Sequence, residues 1–385
     1  MAKKGDMLYA WTTDSALAKK AECGGAVTEL LKYALESKTV DAVLAVKKGF
    51  DLYDAVPTIV TDPKDLDECA GSLHCGTILL SKLVMEYAPK LSGKKIGMVV
   101  KGCDMMGLLE MAKRNQVNLD NIVMIGVNCG GSVSPVAARR MIKEKFGVDP
   151  DKVTKEEIDK GQFIIEYEGG HKGIKMDDLE DEGYGRRSNC RRCKAKITRQ
   201  ADLACGNWGV IGDKAGKATF VEVCSDKGAK LLDGAVKAKK LTTEPADPKG
   251  IEIRAKTENA MLKLGDKWRK RDFEALRSNL WESIAKETAR CMKCGACIAH
   301  CPVCFTRADK YEQSEPDIMV RAGFIPADPM FHLRRFAHIS DSCVNCGQCE
   351  ENCPCEIPLA LFSHAIRTEA DKFFEPKLGK SAYTN

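Results

Sequence analysis

Two cysteine-rich stretches, CMKCGACIAHCP at residues 291–302 and CVNCGQCEENCP at residues 343–354, decide the fold of the last third of this chain. Both have the spacing C-x2-C-x2-C-x3-C-P, with which bacterial-type modules hold [4Fe–4S] clusters. Where one module holds two clusters, the fourth cysteine of each run binds the other cluster. The predicted ligand sets are therefore Cys291, Cys294 and Cys297 with Cys353, and Cys343, Cys346 and Cys349 with Cys301.

Zinc is the alternative occupant of these cysteine runs. Thiolates select iron–sulfur clusters, zinc or Cu(I), whereas magnesium and calcium prefer oxygen ligands. A zinc site needs only one tetrahedral ligand set, and it gives no reason for the C-x3-C-P end of each run. We therefore interpret the two runs as ligands of two [4Fe–4S] clusters, and we expect the chain to carry electrons.

The composition indicates a soluble chain of two or three domains. Its 385 residues are too many for one ordinary core, 44% of them are hydrophobic, and the net charge is +5. We find neither an apolar run of the roughly 18 residues that a membrane span needs nor a secretory signal, so we expect a cytoplasmic protein without membrane contact. Nineteen cysteines then indicate metal binding rather than disulfides. The small net charge gives no indication of nucleic-acid binding.

The first 240 residues alternate short apolar runs with helical patterns. This order is typical of an α/β domain with parallel strands. The apolar runs lie at residues 41–46, 96–100 and 122–127. The helical patterns lie at residues 27–36, 74–87, 105–115 and 135–146. Two β-prone pieces, at residues 163–167 and 219–223, predict an added β-rich portion.

A polar segment with two prolines at residues 242–249 indicates a domain boundary. We place a linker over residues 241–270, between a first domain of residues 1–240 and a second domain of residues 271–385. An amphipathic pattern at residues 272–290 leads directly into the first cysteine run.

Helix-prone pieces also lie between the two cysteine runs, at residues 308–313 and 330–338. The 38 residues between Cys304 and Cys343 are more than a compact two-cluster ferredoxin has there. We therefore expect the second domain to be a mainly helical two-cluster ferredoxin-like module of the kind found in respiratory iron–sulfur subunits.

Two further cysteines follow predicted strands of the first domain. Cys103 comes just after the run at residues 96–100, and Cys129 just after the run at 122–127. Ligands collect beyond the carboxyl ends of strands in open α/β sheets, so these two could share a site with the C-x2-C pair Cys190 and Cys193. Two alternatives stay open. Cys103 and Cys129 could be ordinary buried cysteines, or a zinc ion could be held by Cys190, Cys193, Cys205 and one other residue.

Short motifs along residues 15–240 resemble, in the same order, the β subunits of coenzyme F420 hydrogenases and dehydrogenases. The motifs are AECGGAVT at residues 21–28, AGS at 70–72, CDMMG at 103–107, GVNC at 126–129, GY at 183–184, CRRC at 190–193 and DLACG at 202–206. The resemblance implies a domain that binds FAD and one [4Fe–4S] cluster and exchanges hydride with coenzyme F420, a deazaflavin, as substrate. It also implies Cys103, Cys129, Cys190 and Cys193 as ligands of that cluster, whereas Cys205 departs from the family pattern.

The C-terminal position of the two-cluster module is similar to that in the formate dehydrogenase members of this family. The resemblance implies that a partner α subunit oxidises formate at a molybdenum or tungsten pterin site, and that electrons then pass through three clusters and FAD to coenzyme F420. We expect no side chain of this protein to act as an obligatory acid or base. One alternative is a flavin-free electron-transfer subunit of a larger complex such as a heterodisulfide reductase. Another is the same type of enzyme with a different donor or with NAD(P) as acceptor.

The candidate FAD contacts lie in three glycine-containing turns. The first turn, at residues 24–28, precedes a helix whose N-terminal amides could approach a phosphate, and the turn at residues 71–74 also precedes a helix. The third turn, at residues 202–209, could border the flavin. The candidates are Gly24, Gly25, Thr28, Gly71, Ser72, His74, Asp202, Gly206, Asn207 and Gly209. Each glycine could instead serve only to permit a tight turn. The chain has no G-x-G-x-x-G motif, which disfavours a dinucleotide Rossmann site.

Overall fold

The computed structural model describes residues 1–91, 93–277, 279–292, 294–304 and 329–374. The chain forms two compact units. The first contains residues 1–105, 118–187 and 194–263, and the second contains residues 106–117, 188–193 and those from 264 onward. The helix predicted at residues 308–313 lies outside the described residues.

The first unit contains a large mixed sheet and a small antiparallel sheet. The strands are β1 Met7–Thr12, β2 Ala42–Lys48, β3 Ala55–Val60, β4 Ile96–Val100, β5 Ile122–Val127, β6 Val153–Asp159, β7 Gln162–Tyr167, β8 Gly170–Lys175, β9 Leu203–Gly206, β10 Thr219–Val223 and β11 Leu241–Pro245. The large sheet has the order β11-β1-β10-β9-β5-β4-β2-β3, and the small sheet has the order β6-β7-β8. Strands β2, β4, β5 and β9 run parallel at the middle of the large sheet, and the remaining pairs are antiparallel.

Helices flank the large sheet and form most of the second unit. The α-helices are α1 Ser15–Lys20, α2 Ala26–Glu36, α3 Leu80–Glu86, α4 Ala88–Leu91, α5 Gly102–Lys113, α6 Pro135–Met141, α7 Met176–Asp181, α8 Ser188–Arg191, α9 Asp226–Lys237, α10 Pro248–Arg277, α11 Leu280–Thr288, α12 Ala296–Ala299, α13 Pro329–His338, α14 Gln348–Glu351 and α15 Leu359–Phe374. Short 3-10 turns lie at Pro63–Cys69, Leu119–Asn121, Pro150–Lys152 and Gly212–Lys214, and a π-helical turn at Ile142–Phe146. Among the described residues, no helix is long and apolar enough to cross a membrane.

The core of the first unit lies between its large sheet and the amphipathic helices α2 and α9. Leu30 and Leu31 on α2 and Leu232 on α9 are buried in one cluster with Val43 and Ile125 of the sheet. Burying a side chain of this size contributes about 1.5–3 kcal/mol. The parallel strands are apolar on both faces, as the sequence pattern predicts for strands covered on both sides.

The strands predicted at residues 96–100 and 122–127 are β4 and β5, which lie side by side and parallel. The strand predicted at residues 219–223 is also present, as β10, but its predicted place in an added β portion is wrong. It pairs with β1 and β9 inside the large sheet. The added portion consists instead of β6, β7 and β8.

The helix predicted at residues 74–87 is shorter than expected, because α3 begins at Leu80. The backbone amides of His74 and Cys75 donate to the carboxylate of Glu156, at 2.7 and 3.2 Å. These hydrogen bonds to a strand of the small sheet hold residues 74 and 75 in a turn ahead of the helix.

Residues 241–270, predicted as a linker, form strand β11 and most of the 30-residue helix α10. The two prolines of this segment mark the ends of elements. Pro245 is the last residue of β11, and Pro248 is the first residue of α10. Proline is tolerated there because the first N–H groups of a helix have no hydrogen-bond acceptor within it. The two units therefore divide within α10, after Lys263.

The second unit is mainly helical, as predicted. Its apolar core includes Ile284 on α11, Phe336 on α13, Ile357 just before α15, and Phe362 in the first turn of α15. The rings of Phe336 and Phe362 pack edge to face with centroids 5.9 Å apart. Several of the cysteines from both runs lie within this same core.

Candidate metal centres and flavin site

Each cysteine run contains a tight loop that leads into a one-turn helix. Gly295 follows the second cysteine of the first run and Gly347 follows that of the second, with φ of +71° and +77°. Both glycines are N-caps, of α12 and α14 respectively. Because this left-handed conformation favours glycine, the C-G-x-C sequence of each run is explained by one shared loop geometry.

The second run lines a small cavity together with one cysteine of the first run. The cysteines that line this cavity are Cys301, Cys343, Cys346 and Cys349. They are the set that the two-cluster spacing predicts for one of the clusters. Within the described residues, no three His, Cys, Asp or Glu side chains are grouped so as to hold a single metal ion. The chemistry of this lining, four sulfurs around one cavity, fits a [4Fe–4S] cluster.

Cysteines of the other predicted set lie in the apolar core beside this cavity. Cys297 is buried there, and Cys291 and Cys353 pack against the same cluster of residues. Burial raises the pKa of the Cys297 thiol to about 11, and the neighbouring thiols of Cys349 and Cys291 act in the same direction. A buried thiol of this kind becomes a ligand only by losing its proton to a metal that compensates the charge.

Two asparagines join the Cys190–Cys193 pair to the second cysteine run. Asn189 donates through Nδ2 to the carbonyl oxygens of Asn345 and Cys346, at 3.2 and 2.9 Å. Asn345 donates back through its own Nδ2 to the carbonyl of Asn189 at 2.9 Å. A Cβ on Gly347 would lie only 2.3 Å from the Asn189 side chain. The C-x2-C segment is therefore packed closely against the loop that carries Cys346.

Helix α10 holds the same segment from another direction. Arg192, which lies between Cys190 and Cys193 in the sequence, is buried. Its Nη1 donates to Asp272 at 2.8 Å. Arg269 donates through Nη1 to the carbonyl of Arg192 at 2.7 Å. The backbone amide of Cys193 donates to the carbonyl of Cys190 at 3.3 Å, which closes the C-x2-C turn.

Cys103 and Cys129 lie at the same edge of the large sheet, as the sequence predicts. Strands β4 and β5 are parallel neighbours with Val100 opposite Gly126, so the residues that follow them emerge together. Burial opposes protonation of Lys101, but Asp104 and the thiols of Cys103 and Cys129 raise its pKa above the ordinary value. The Lys101 ammonium donates to the carbonyl of Ile78 at 2.7 Å, lies 3.6 Å from Asp104, and contributes positive charge near both cysteines.

Cys205 belongs to the core and not to this edge. It lies within strand β9, is fully buried, and packs in the apolar cluster of the large sheet. Burial raises the pKa of its thiol far above the ordinary range. This environment suits a small hydrophobic side chain and agrees with its departure from the family pattern.

Two of the candidate flavin residues, Gly206 and Asn207, lie at the sheet edge next to Cys129. Asn128 follows β5 and donates through Nδ2 to Oδ1 of Asn207 at 3.2 Å. Gly206 has φ of +150°, and a Cβ there would lie 1.5 Å from Oδ1 of Asn128. The amide of Trp208 donates to this same oxygen at 3.4 Å. Asn128 and Trp208 are not among the predicted contacts, although the GVNC ending of β5 was a signal for the first.

Close packing within the chain explains three of the other glycines. A Cβ on Gly24 would lie 2.7 Å from the backbone of Lys217 and Ala218, and a Cβ on Gly25 would lie 2.9 Å from Thr12. A Cβ on Gly209 would lie 2.5 Å from the carbonyl of Gly250. The tight-turn interpretation is thus sufficient for these three glycines. Thr28 is buried on α2, one turn beyond Gly25.

Asp202 has a structural role that the sequence pattern did not reveal. Its Oδ2 accepts from the amide of Met124 at 2.9 Å, and its Oδ1 accepts from Oγ of Ser225 at 2.6 Å. Ser225 is the N-cap of α9. The carboxylate therefore ties strand β5 to the start of that helix. Gly71, with φ of +101°, and the exposed Ser72 lie in a more open turn.

His74 is held between two glutamates. Its Nδ1 lies 3.0 Å from Oε2 of Glu156, and its Nε2 lies 3.7 Å from Glu22. Although burial opposes it, hydrogen bonding and charge from Glu156, with Glu22 adding to them, raise the pKa of His74 to about 9. The imidazole is therefore a cation at neutral pH, close to the turn of Gly71 and Ser72.

Comparison with known families agrees with this division of the chain. Residues 7–85 and 93–249 match the family models described as coenzyme F420 hydrogenase/dehydrogenase, beta subunit N-term and C terminus. Residues 287–357 match the 4Fe-4S dicluster domain. The dicluster match covers both cysteine runs.

Two relatives are similar along almost their whole length. The chain is 50% identical over 369 residues to F420-dependent formate dehydrogenase 1 subunit beta of Methanococcus maripaludis, covering 95% of this chain and 93% of that one. It is 47% identical over 357 residues to F420-dependent formate dehydrogenase subunit beta of Methanocaldococcus jannaschii, covering 92% and 91%.

A solved structure shares the fold. A chain in the F420-reducing [NiFe] hydrogenase complex from Methanosarcina barkeri is similar with a TM-score of 0.60 and 20% identity. The similarity covers 70% of this chain and 93% of that chain. At this identity it shows the fold alone.

The charged contact of His74 predicts a pH dependence. The pKa of His74 in the folded chain, about 9, exceeds its ordinary value of 6.5. Protonated His74 therefore stabilises the folded chain fully below pH 6.5, and this stabilisation is lost as the pH rises through 9. Between pH 6 and pH 10, we expect the wild type to lose about 3 kcal/mol more unfolding free energy than His74→Gln. Urea unfolding at the two pH values measures this, with exposed His171→Gln as control. An equal pH dependence of wild type and His74→Gln would contradict it.

The asparagine pair predicts a large effect of a small truncation. Asn189→Ala removes the buried donor to the carbonyls of Asn345 and Cys346, and losing one partner of a buried hydrogen bond costs about 1–3 kcal/mol. We expect a urea midpoint well below that of Asn352→Ala, because the side-chain hydrogen bonds of Asn352 are made to Gln348, within one helical turn. Equal midpoints for the two variants would show that the pair does not hold the second run in place.

Proposed function

Because the chain belongs to the family of coenzyme F420 hydrogenase/dehydrogenase β subunits, we propose that it is the coenzyme F420-reducing, electron-transfer β subunit of a formate dehydrogenase. The observation that carries this proposal is the match at 47–50% identity, over more than 90% of each chain, to subunits of that name from two organisms. The match includes the C-terminal two-cluster module, which the formate dehydrogenase assignment requires.

The proposed ligands of three [4Fe–4S] clusters are twelve of the cysteines. One cluster is assigned to Cys291, Cys294, Cys297 and Cys353, the second to Cys343, Cys346, Cys349 and Cys301, and the third to Cys103, Cys129, Cys190 and Cys193. The cavity shared by Cys301 and the second run supports the exchange of the fourth cysteine between the runs. The common sheet edge of Cys103 and Cys129 supports their part of the third set.

We propose that FAD binds at the edge of the large sheet where β5 and β9 end. Gly206 and Asn207 are the favoured contacts, with Asn128 and Trp208 beside them. The turn of Gly71 and Ser72 is a second candidate for the phosphates, and protonated His74 next to it would attract their negative charge.

When bound, the clusters would carry single electrons, and FAD would combine two of them with a proton for hydride transfer to coenzyme F420. The chain itself positions these groups and controls their surroundings. Its apolar core buries Cys297 and Cys349 of the two-cluster module. Lys101 places a cation beside Cys103 and Cys129. None of these tasks needs a side chain that gains or loses a proton in the hydride step.

The relatives are named as subunits of an enzyme, so we propose a catalytic partner. A formate dehydrogenase α subunit with a molybdenum or tungsten pterin would oxidise formate and pass the electrons to this chain. Anaerobic co-purification with identification of the large subunit tests this. A hydrogenase or sulfite reductase in its place would contradict formate as donor, and a heterodisulfide reductase would add a second partner. Flavin analysis and assays with coenzyme F420, NAD and NADP test the acceptor, and an NADP preference would overturn the choice.

A cysteine variant tests the direction of electron flow. Cys294→Ala removes a proposed ligand of the first run and changes no residue of the first unit. We expect formate-driven reduction of coenzyme F420 to slow by at least about tenfold, since that route needs the module intact. Reduction driven by a chemically reduced dye should stay largely unchanged. The control is Cys69→Ala, which lies in the first unit and outside every proposed set. Equal loss of both activities in Cys294→Ala would contradict this order.

A further inference from the structure

We propose that Arg335 is a positioning residue that raises the reduction potentials of the clusters in the two-cluster module by placing one positive charge between the two cysteine runs. This inference rests on the proposed function, because it requires bound clusters. Arg335 belongs to neither cysteine run and carries no part of the sequence motifs. Its place in the fold is what distinguishes it.

Arg335 lies on α13 and reaches both runs. Its side chain is 5% exposed and lines the cavity together with Cys301, Cys343 and Cys349. Its Nη2 donates to the carbonyl oxygen of Cys297 at 3.1 Å. One guanidinium therefore contacts the first run and faces the cavity that the second run encloses.

The charge of Arg335 is not balanced by the chain that the structure describes. Among the described residues, Nε and Nη1 of Arg335 have no hydrogen-bond partner, and no carboxylate forms an ion pair with it. Other buried arginines of the second unit do have such a partner: Arg192 pairs with Asp272, and Arg367 pairs with Asp371. Of these three buried arginines, Arg335, which lines the cavity, is the one without a carboxylate partner among the described residues.

A buried cation without a counter-ion is expensive, because it loses the solvation of water and one hydrogen bond to a carbonyl offsets only part of that loss. The remaining donors of Arg335 therefore call for an anion within the module. A [4Fe–4S] cluster held by four thiolates is such an anion, and its sulfurs accept hydrogen bonds. The two nitrogens Nε and Nη1 and the cysteine-lined cavity are thus complementary in charge and chemistry.

The sign of the effect follows from charge. Reduction adds one electron to a cluster, so the reduced form is more negative than the oxidised form. A nearby cation stabilises the reduced form more, and hydrogen bonds to sulfur act in the same direction. Because the site is buried, the attraction is screened less than it would be in water. Each electron that enters comes from the formate-oxidising partner, and no bond or proton moves in this module.

Redox titration followed by EPR, on the full chain purified without oxygen, tests the proposal. We expect Arg335→Met to shift the one-electron reduction equilibrium at least about tenfold toward the oxidised state, which lowers the potential by about 59 mV. Arg335→Lys keeps the charge and should stay much closer to the wild type. The matched control is Arg290→Met. Arg290 also contacts the cysteine region, donating to the carbonyl of Cys355 at 2.9 Å, but its side chain is 50% exposed, so solvent screens its charge.

Each outcome decides for or against the role of Arg335. An unchanged potential in Arg335→Met with full cluster content contradicts it and leaves the proposed function intact. An equal shift in Arg290→Met also contradicts it, since any nearby charge would then suffice. If Arg335→Met loses its clusters, Arg335→Gln is measured in its place, because the glutamine amide keeps hydrogen-bond donors but carries no charge. A wild-type potential in Arg335→Gln overturns the proposal. A wild-type chain that binds no iron would refute the proposed function and this inference together.

Discussion

The interaction on which the second unit depends is the convergence of cysteines from two distant runs on one cavity. Cys301 belongs to the first run, yet it lines the cavity formed by Cys343, Cys346 and Cys349. Cys297 and Cys349 are buried in the same apolar cluster, between α11, α13 and α15. A module of this size with short helices gains little from its apolar core alone. Bonds from thiolates of both runs to shared clusters would add folding free energy directly, as metal sites in small domains do.

The first unit uses a different device to collect its candidate site. Parallel strands β4, β5 and β9 end at one edge of the sheet, and the residues that follow them emerge there together. Cys103 follows β4, Asn128 and Cys129 follow β5, and Asn207 follows β9. Chemistry-bearing residues from three separate stretches of sequence are thus brought to one place by sheet topology, which is the usual position of ligands in open α/β folds.

The sequence was sufficient where the pattern was local. Cysteine spacing predicted the two runs, and apolar runs of five or six residues predicted β4 and β5 at their observed bounds. It was insufficient where a distant partner decides the outcome. Antiparallel pairing with β1 and β9 places β10 in the large sheet. Glu156, 82 residues away, holds His74 in a turn instead of a helix. The sequence around Pro248 is typical of a linker, but in the fold Pro248 follows strand β11 and is the first residue of helix α10.

The same limit explains what the sequence did not reveal about individual residues. Asp202 lies in a family motif, but its carboxylate serves the fold through Met124 and Ser225. Arg335 has no motif at all, because its significance is the lack of a carboxylate partner within the described residues and its place between two cysteine runs. Residue types and spacing indicate ligands, whereas the charge environment of those ligands is a property of the folded chain.

The most direct test of the central claim is Mössbauer spectroscopy, with iron, sulfide and zinc analysis, on the full chain labelled with 57Fe and purified without oxygen. Three clusters of four irons predict about twelve irons and as many sulfides per chain, with all the iron in the [4Fe–4S] form. Protein that binds zinc at the cysteine runs, or that folds stably with no iron, would contradict the account.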